Sequence, residues 1–161
     1  MMNKVVGYMA LNNMKDRFGN EYQVGGNYHM DGDITYEHNG FRFCGNLEDV
    51  FRYCNGFDEN TNICLVEGFG KVRIDNDETM EYFDLYATSD LTVLKVLERE
   101  EIINDVINKN CFSKARLIAG FKLTDEEIDY MLQKSIGEHL EPYVDYYQRG
   151  DKKAFQRRIK Q

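Results

Sequence analysis

Tryptophan is absent and proline occurs once, at Pro142, so the chain has the make-up of neither a proline-rich linker nor a low-complexity tract. No run approaches the roughly 18 consecutive apolar residues that a membrane helix needs. The N-terminus shows no signal-peptide apolar segment. A cytoplasmic setting without a membrane partner is therefore expected. Also missing are C-x₂₋₄-C knuckles, so Cys44, Cys54, Cys64 and Cys111 are expected to be reduced, metal-free and buried as small hydrophobes. His29, His38 and His139 follow no H-x₃-H or H-E-x-x-H spacing, which leaves no metal site to expect. No G-x-S-x-G, Walker-type loop or G-x-G-x-x-G follows a strand.

Basic residues are outnumbered, 20 Lys and Arg against 28 Asp and Glu, for a formal charge of -8. Phosphate-backbone binding is driven by clustered basic side chains, so nucleic acid is not the expected partner. The charge is uneven. Residues 149–161 hold six basic side chains against Asp151, a local +5 that leaves -13 for the rest.

What is present suits one domain of 161 residues, with 11 Tyr and 10 Phe to build a core. The pattern predicts an α+β fold. A small body of short, mostly antiparallel strands occupies about residues 1–100, with a helix after the GFRFC strand, and a helical extension occupies about 101–161. Lys4 to Leu11 reads as a first strand, Arg17 to Val24 and the stretch to Tyr36 as short strands joined by glycine turns, and Asp31-Gly32 as a hairpin turn. Asn46 can cap a helix that follows Gly40–Cys44 and carries Leu47, Val50, Phe51 and Cys54 on one face. Phe43, Leu47, Val50 and Phe51 are the expected centre of the core. Ile63–Ile74 is strand-like, and its Gly68 and Gly70 point to a bulge or a close backbone approach. Asp75-Asn76-Asp77 turns the chain, and the acidic set to Glu81 reads as a solvated turn rather than a calcium loop. Met80–Ala87 and Leu91–Leu97 read as two further strands.

From Glu98 the spacing is helical. Thr124 to Glu127 forms a capping box, and Ile128, Met131, Leu132, Ile136 and Leu140 form one stripe. Pro142 opens a new helix, Gly150 ends it, and Asp151 caps a basic segment in which Phe155 and Ile159 flank Arg158. Phe155, Arg158 and Ile159 are candidate binding residues, for docking on the chain's own acidic surface or on an acidic partner.

Four motifs stand in order: GYMAL (7–11), YQVGGNY (22–28), GFRFC (40–44) and VEGFGKV (66–72). Together they resemble a domain of unknown function from phages and prophages, typified by GY-x-A-F, GFHFC and E-A-x-G-x-V, over about residues 5–105. Arg42 stands where that pattern has histidine. The resemblance implies a mobile element or its bacterial host as the setting. A second similarity links GFRFC-GNLEDVFRYC in layout to the strand-helix unit of ADP-ribosyltransferases. It makes Arg42 and Tyr53 candidate binding residues and Glu67 a candidate catalytic carboxylate, although Met9 and Arg42 replace the residues that would grip NAD. The leading expectation is a phage- or prophage-derived accessory protein acting by contact with a bacterial protein, without a cofactor. An NAD-dependent transferase is the alternative, and a virion-associated interaction domain a further one. The oligomeric state is left open.

Overall fold

The structure, a computed structural model, describes residues 3–35, 39–53, 57–75 and 85–156, with the backbone alone at 52, 53 and 75. Cys54, residues 76–84 with most of the expected turn and the start of the expected strand from Met80, Arg158 and Ile159 lie outside the described residues, as does the side chain of Tyr53. The chain forms two compact units: residues 1–54 with 60–98, and residues 55–59 with 99–161. The boundary between Glu98 and Arg99 falls where the helical spacing begins.

The first unit contains β1 (Val5–Asn12), β2 (Asn27–His29), β3 (Phe41–Cys44), α1 (Leu47–Tyr53), β4 (Thr61–Asp75) and β5 (Leu85–Val96). All its strand pairs are antiparallel. The order is β2-β5-β3-β1-β4, and β4 pairs back onto β5, so four strands close a small barrel and β2 is added along β5. Closure satisfies backbone groups that an open edge would leave exposed. It is made possible by the length of β4, whose residues 61–68 pair with β1 while its residues 64–75 pair with β5. That double duty requires bending, and the register shifts at Leu65/Val66 and again between Phe69 and Val72. Gly70 sits in the second shift at φ +79°, a left-handed value that a side chain would oppose.

Alternation along the strands sends Met9, Leu11, Phe41, Phe43, Cys64, Val66, Leu91 and Val93 inward, where Tyr22 joins them. The motif glycines make room for one ring of this core. A Cβ on Gly68 would stand 2.6 Å from the Phe43 ring, and one on Gly7 would stand 2.5 Å from it. GYMAL, GFRFC and VEGFG are therefore tied together by packing around Phe43. Gly68 and Gly70 together are read from sequence as a bulge or a close backbone approach; the strand bulges at Gly70, and Gly68 lies against the Phe43 ring.

Outside the barrel, α1 packs on β1 and β3. Asn46 caps it, its Oδ1 accepting from Asp49 N at 2.9 Å. Leu47, Val50 and Phe51 are buried as expected, together with Phe43. Cys44 and Cys64 are buried thiols outside any disulfide, and burial pushes the Cys64 thiol up to about 11. Cys111 is also outside any disulfide but exposed, so it departs from the expected buried role.

Several expected elements are different. Residues 17–24 form no strand: Lys15 bridges Asn12 and Glu21, and local hydrogen bonds replace a ladder. Asp31-Gly32 turns no hairpin, because β2 takes its partner from distant β5. Leu85–Val96 is one strand rather than two, since β2 and β3 share the same edge of β5 in succession while β4 runs along the other.

The second unit contains α2 (Arg99–Ile107), α3 (Cys111–Gly120), α4 (Asp125–Lys134) and α5 (Glu141–Tyr147). α3 packs on α5, and α2 packs on both α3 and α4. The capping box is formed, Thr124 Oγ1 accepting from Glu127 N at 3.1 Å and Glu127 Oε1 from Thr124 N at 2.8 Å. Pro142 stands in the first turn of α5. Ile136 departs from its expected stripe and is 86% exposed, because α4 ends at Lys134. Buried Lys114 donates to Glu138 and holds that carboxyl below its ordinary range.

Candidate functional site

The outer face of β4, β5 and β2 carries the side chains that alternate with the core residues. Asn27, Thr92, Glu67 and Val6 form one row across four strands, and His29, Asp90 and Phe69 form the next. Glu67 pairs with Lys4 at 3.3 Å, and the same ammonium lies 5.7 Å from the Phe69 ring centroid. Asn27 Oδ1 accepts from Thr92 Oγ1 at 2.6 Å.

His29 is held on both sides. Its Nδ1 stands 2.8 Å from Asp90 Oδ1 and its Nε2 2.8 Å from Asp31 Oδ1. Ionised carboxylates only accept, so both contacts are hydrogen bonds when the imidazole is protonated on both nitrogens. Those two bonds, that to Asp90 first, raise its proton affinity above the ordinary histidine value. Asp90 is held below its usual range, first by the Ser89 hydroxyl at 2.7 Å and also by His29. In this form the ring has no lone pair to offer a metal or a proton. Its role is to tie the segment after β2 to β5, alongside Lys71 Nζ on Gly32 O at 3.1 Å and Asn39 Nδ2 on Asp31 O and Asp33 O at 3.0 Å.

A pH dependence follows. His29 has a higher affinity for its proton in the fold, so its contribution is complete below about 6.5, the unfolded value. It is lost as pH rises through the raised folded value. The difference in melting temperature between the wild type and His29→Gln should therefore be larger near about pH 5 than near about pH 9. An equal difference at both would refute the charged clamp.

A second feature lies on the loop from β1 towards β2. Asp16 Oδ1 accepts from Phe18 N at 2.9 Å and Asn20 N at 3.0 Å, while Oδ2 accepts from Asn20 Nδ2 and Tyr22 Oη, each at 3.0 Å. Partial burial opposes the charge of Asp16, but these bonds outweigh it and keep the carboxyl below its ordinary range. Burial first, and then Asp16, drive the Tyr22 hydroxyl the other way. Asn13 and Met14 precede the turn at φ +49° and +60°, and Met14 N donates to Asn62 Oδ1 at 3.0 Å. These constraints display Phe18, 72% exposed, beneath the Arg17 guanidinium at 4.7 Å.

The residues singled out from sequence are dispersed. Glu67 lies on the outer face, side chain 23% exposed, and its partner is Lys4. Arg42 is half-buried on β3 opposite Ala87, whereas Glu67 is opposite Thr92. Those positions are five residues apart on β5, about 17 Å along the strand. Met9, placed where the transferase layout wants a cation, faces the barrel core. Phe155 packs within the helical unit, against Tyr143 at 5.1 Å and Tyr146 at 5.3 Å. Lys152 Nζ lies 4.7 Å from the Tyr146 ring centroid, so the described end of the tail docks on α5. Residues 152–155 form turns.

Sequence reading missed the His29 clamp and the Phe18 loop. The clamp joins residues 61 apart in sequence, which no local pattern reveals. The loop did leave a signal, since Asp16 and Asn20 bracket a glycine in the manner of an Asx turn.

Residues 5–105 match the family described as Domain of unknown function (DUF7666), and the chain belongs to that family. No curated protein and no solved structure matches the chain. Among the described residues no cluster of His, Cys, Asp and Glu could hold a metal ion, and no helix is long and apolar enough to cross a membrane.

Proposed function

We propose that this chain is a phage- or prophage-derived accessory protein that acts by contact with a bacterial protein, as an inhibitor of a host system. The mobile-element setting rests on the resemblance of the four motifs. The contact reading is carried by one observation, an exposed phenylalanine on a loop whose conformation is fixed by hydrogen bonds before any partner arrives. Burying such a ring contributes roughly 1.5 to 3 kcal/mol to a complex. A preformed loop loses little further freedom on binding. Aromatic and arginine side chains are the usual anchors of interfaces.

Affinity capture from bacterial lysate, with the wild type and Phe18→Ala side by side, tests this. The wild type should retain a discrete protein, and the variant should weaken that capture about tenfold to a hundredfold. Its own stability should change by less than about 0.5 kcal/mol, as for a surface position. Retention unchanged by the substitution would count against the Phe18 loop as the contact. The alternative reading, an NAD-dependent ADP-ribosyltransferase using Glu67, makes a different demand: the purified protein would consume NAD and Glu67→Gln would stop it. Labelled NAD left intact in the presence of lysate goes with the contact reading.

A further inference from the structure

We infer that the Arg17-Phe18 tip is a knob for an apolar pocket rimmed by carboxylates on a partner protein, an assignment that rests on the contact reading above. The apolar requirement comes from the ring, whose exposed face must leave water for binding to be favourable. The acidic requirement comes from the charges around it. Lys15 is paired with Glu21 at 3.3 Å, and Asp16 is occupied by four hydrogen bonds within the loop. Arg17 is thus the cation the tip offers beside Phe18, and both side chains are exposed. A guanidinium lying over an aromatic ring keeps its N–H donors in the ring-parallel plane, where carboxylates at a pocket rim can accept from them.

The rest of the unit supports a foreign partner rather than a second copy. Residues 1–54 with 60–98 carry 8 basic and 15 acidic side chains, a formal -7. Two such bodies repel each other on close approach. The knob places one cation and one ring ahead of that acidic body, so a carboxylate-rimmed pocket must be local and narrow rather than part of a broad acidic surface.

The test uses the full chain in bacterial cells with a photoreactive benzophenone side chain at position 18. The same group at position 136 is the control, since Ile136 is the most exposed large hydrophobic among the described residues and lies in the other unit. One dominant adduct from position 18 and none from position 136 is expected, with the crosslinked partner peptide apolar and flanked by Asp or Glu. Adding Arg17→Glu should cut the adduct yield at least about tenfold, the effect of reversing a charge at a close pair, while Arg17→Lys keeps part of it. An adduct insensitive to Arg17→Glu, a partner peptide without acidic residues, or an adduct with a second copy of this chain overturns the assignment. Adducts from position 136 alone leave the contact reading standing and remove the knob. Adducts from neither position remove both.

Discussion

Phe51→Ala should destabilise the barrel unit by about 3 to 5 kcal/mol, the range for emptying a large aromatic site in a close-packed core. Phe51 has no exposed surface, and it lies on α1, the helix that packs on β1 and β3. Its neighbours Leu47 and Val50 on the same helix are also buried, so the site has little freedom to collapse into the vacancy. Domains of this size are stable by only about 5 to 15 kcal/mol. The substitution therefore removes a large share of the total, and urea unfolding should show the midpoint fall markedly. A midpoint equal to that of the wild type would mean that the helix does not cover the barrel as described.

Gly68→Ala should cost about 1 to 3 kcal/mol although it adds a single methyl group. The methyl would stand 2.6 Å from the Phe43 ring and 2.7 Å from Thr88 Cγ2, both inside contact distance. Phe43 cannot retreat easily, since its other side meets Gly7 and its ring stacks on Tyr86 at 5.5 Å. Shortening the ring supplies the space, so in a Phe43→Leu background the added cost of Gly68→Ala should shrink, with a coupling of about 0.5 to 3 kcal/mol. Gly7→Ala is the informative contrast. Its nearest obstacle is the backbone carbonyl oxygen of Cys44, which no side-chain exchange moves, and Phe43→Leu should relieve it less. Additive costs for Gly68→Ala and Phe43→Leu would show that the two residues do not share one space.

These two predictions also mark how far sequence reading reached. Leu47, Val50 and Phe51 were legible because a cap followed by apolar residues at spacings of three and four marks a helix with one buried face. The capping box at Thr124 and the helix opened by Pro142 were legible for the same reason: the interactions that fix them lie within four residues. Glycines inside the β4 pattern signalled a bulge or close approach, and both occur, at Gly70 and Gly68. The error at residues 17–24 has a local cause as well. The Asp16 side chain accepts from the backbone N–H groups of Phe18 and Asn20 in place of a strand partner, and that competition hides beneath an imperfect alternation.

The candidate sites were less legible. Glu67 and Arg42 attracted notice as chemistry-bearing residues in motifs, yet strand pairing sets them about 17 Å apart along β5. Position 18 looked like one more strand aromatic until the fold left its ring in water.

By itself, the sequence determined the α+β class, the point near Glu98 where strands give way to helices, and the buried face of α1. Each of these follows from periodicity and caps, which act over one or two turns of chain. Only the tertiary structure decided that β4 bends back onto β5 to close a barrel, that three separate motifs meet around Phe43, that His29 is clamped between Asp31 and Asp90, and that Phe18 stays exposed. Those outcomes depend on which strands meet and in what register. Register is settled by the simultaneous packing of residues tens of positions apart, and no window along the chain contains them together.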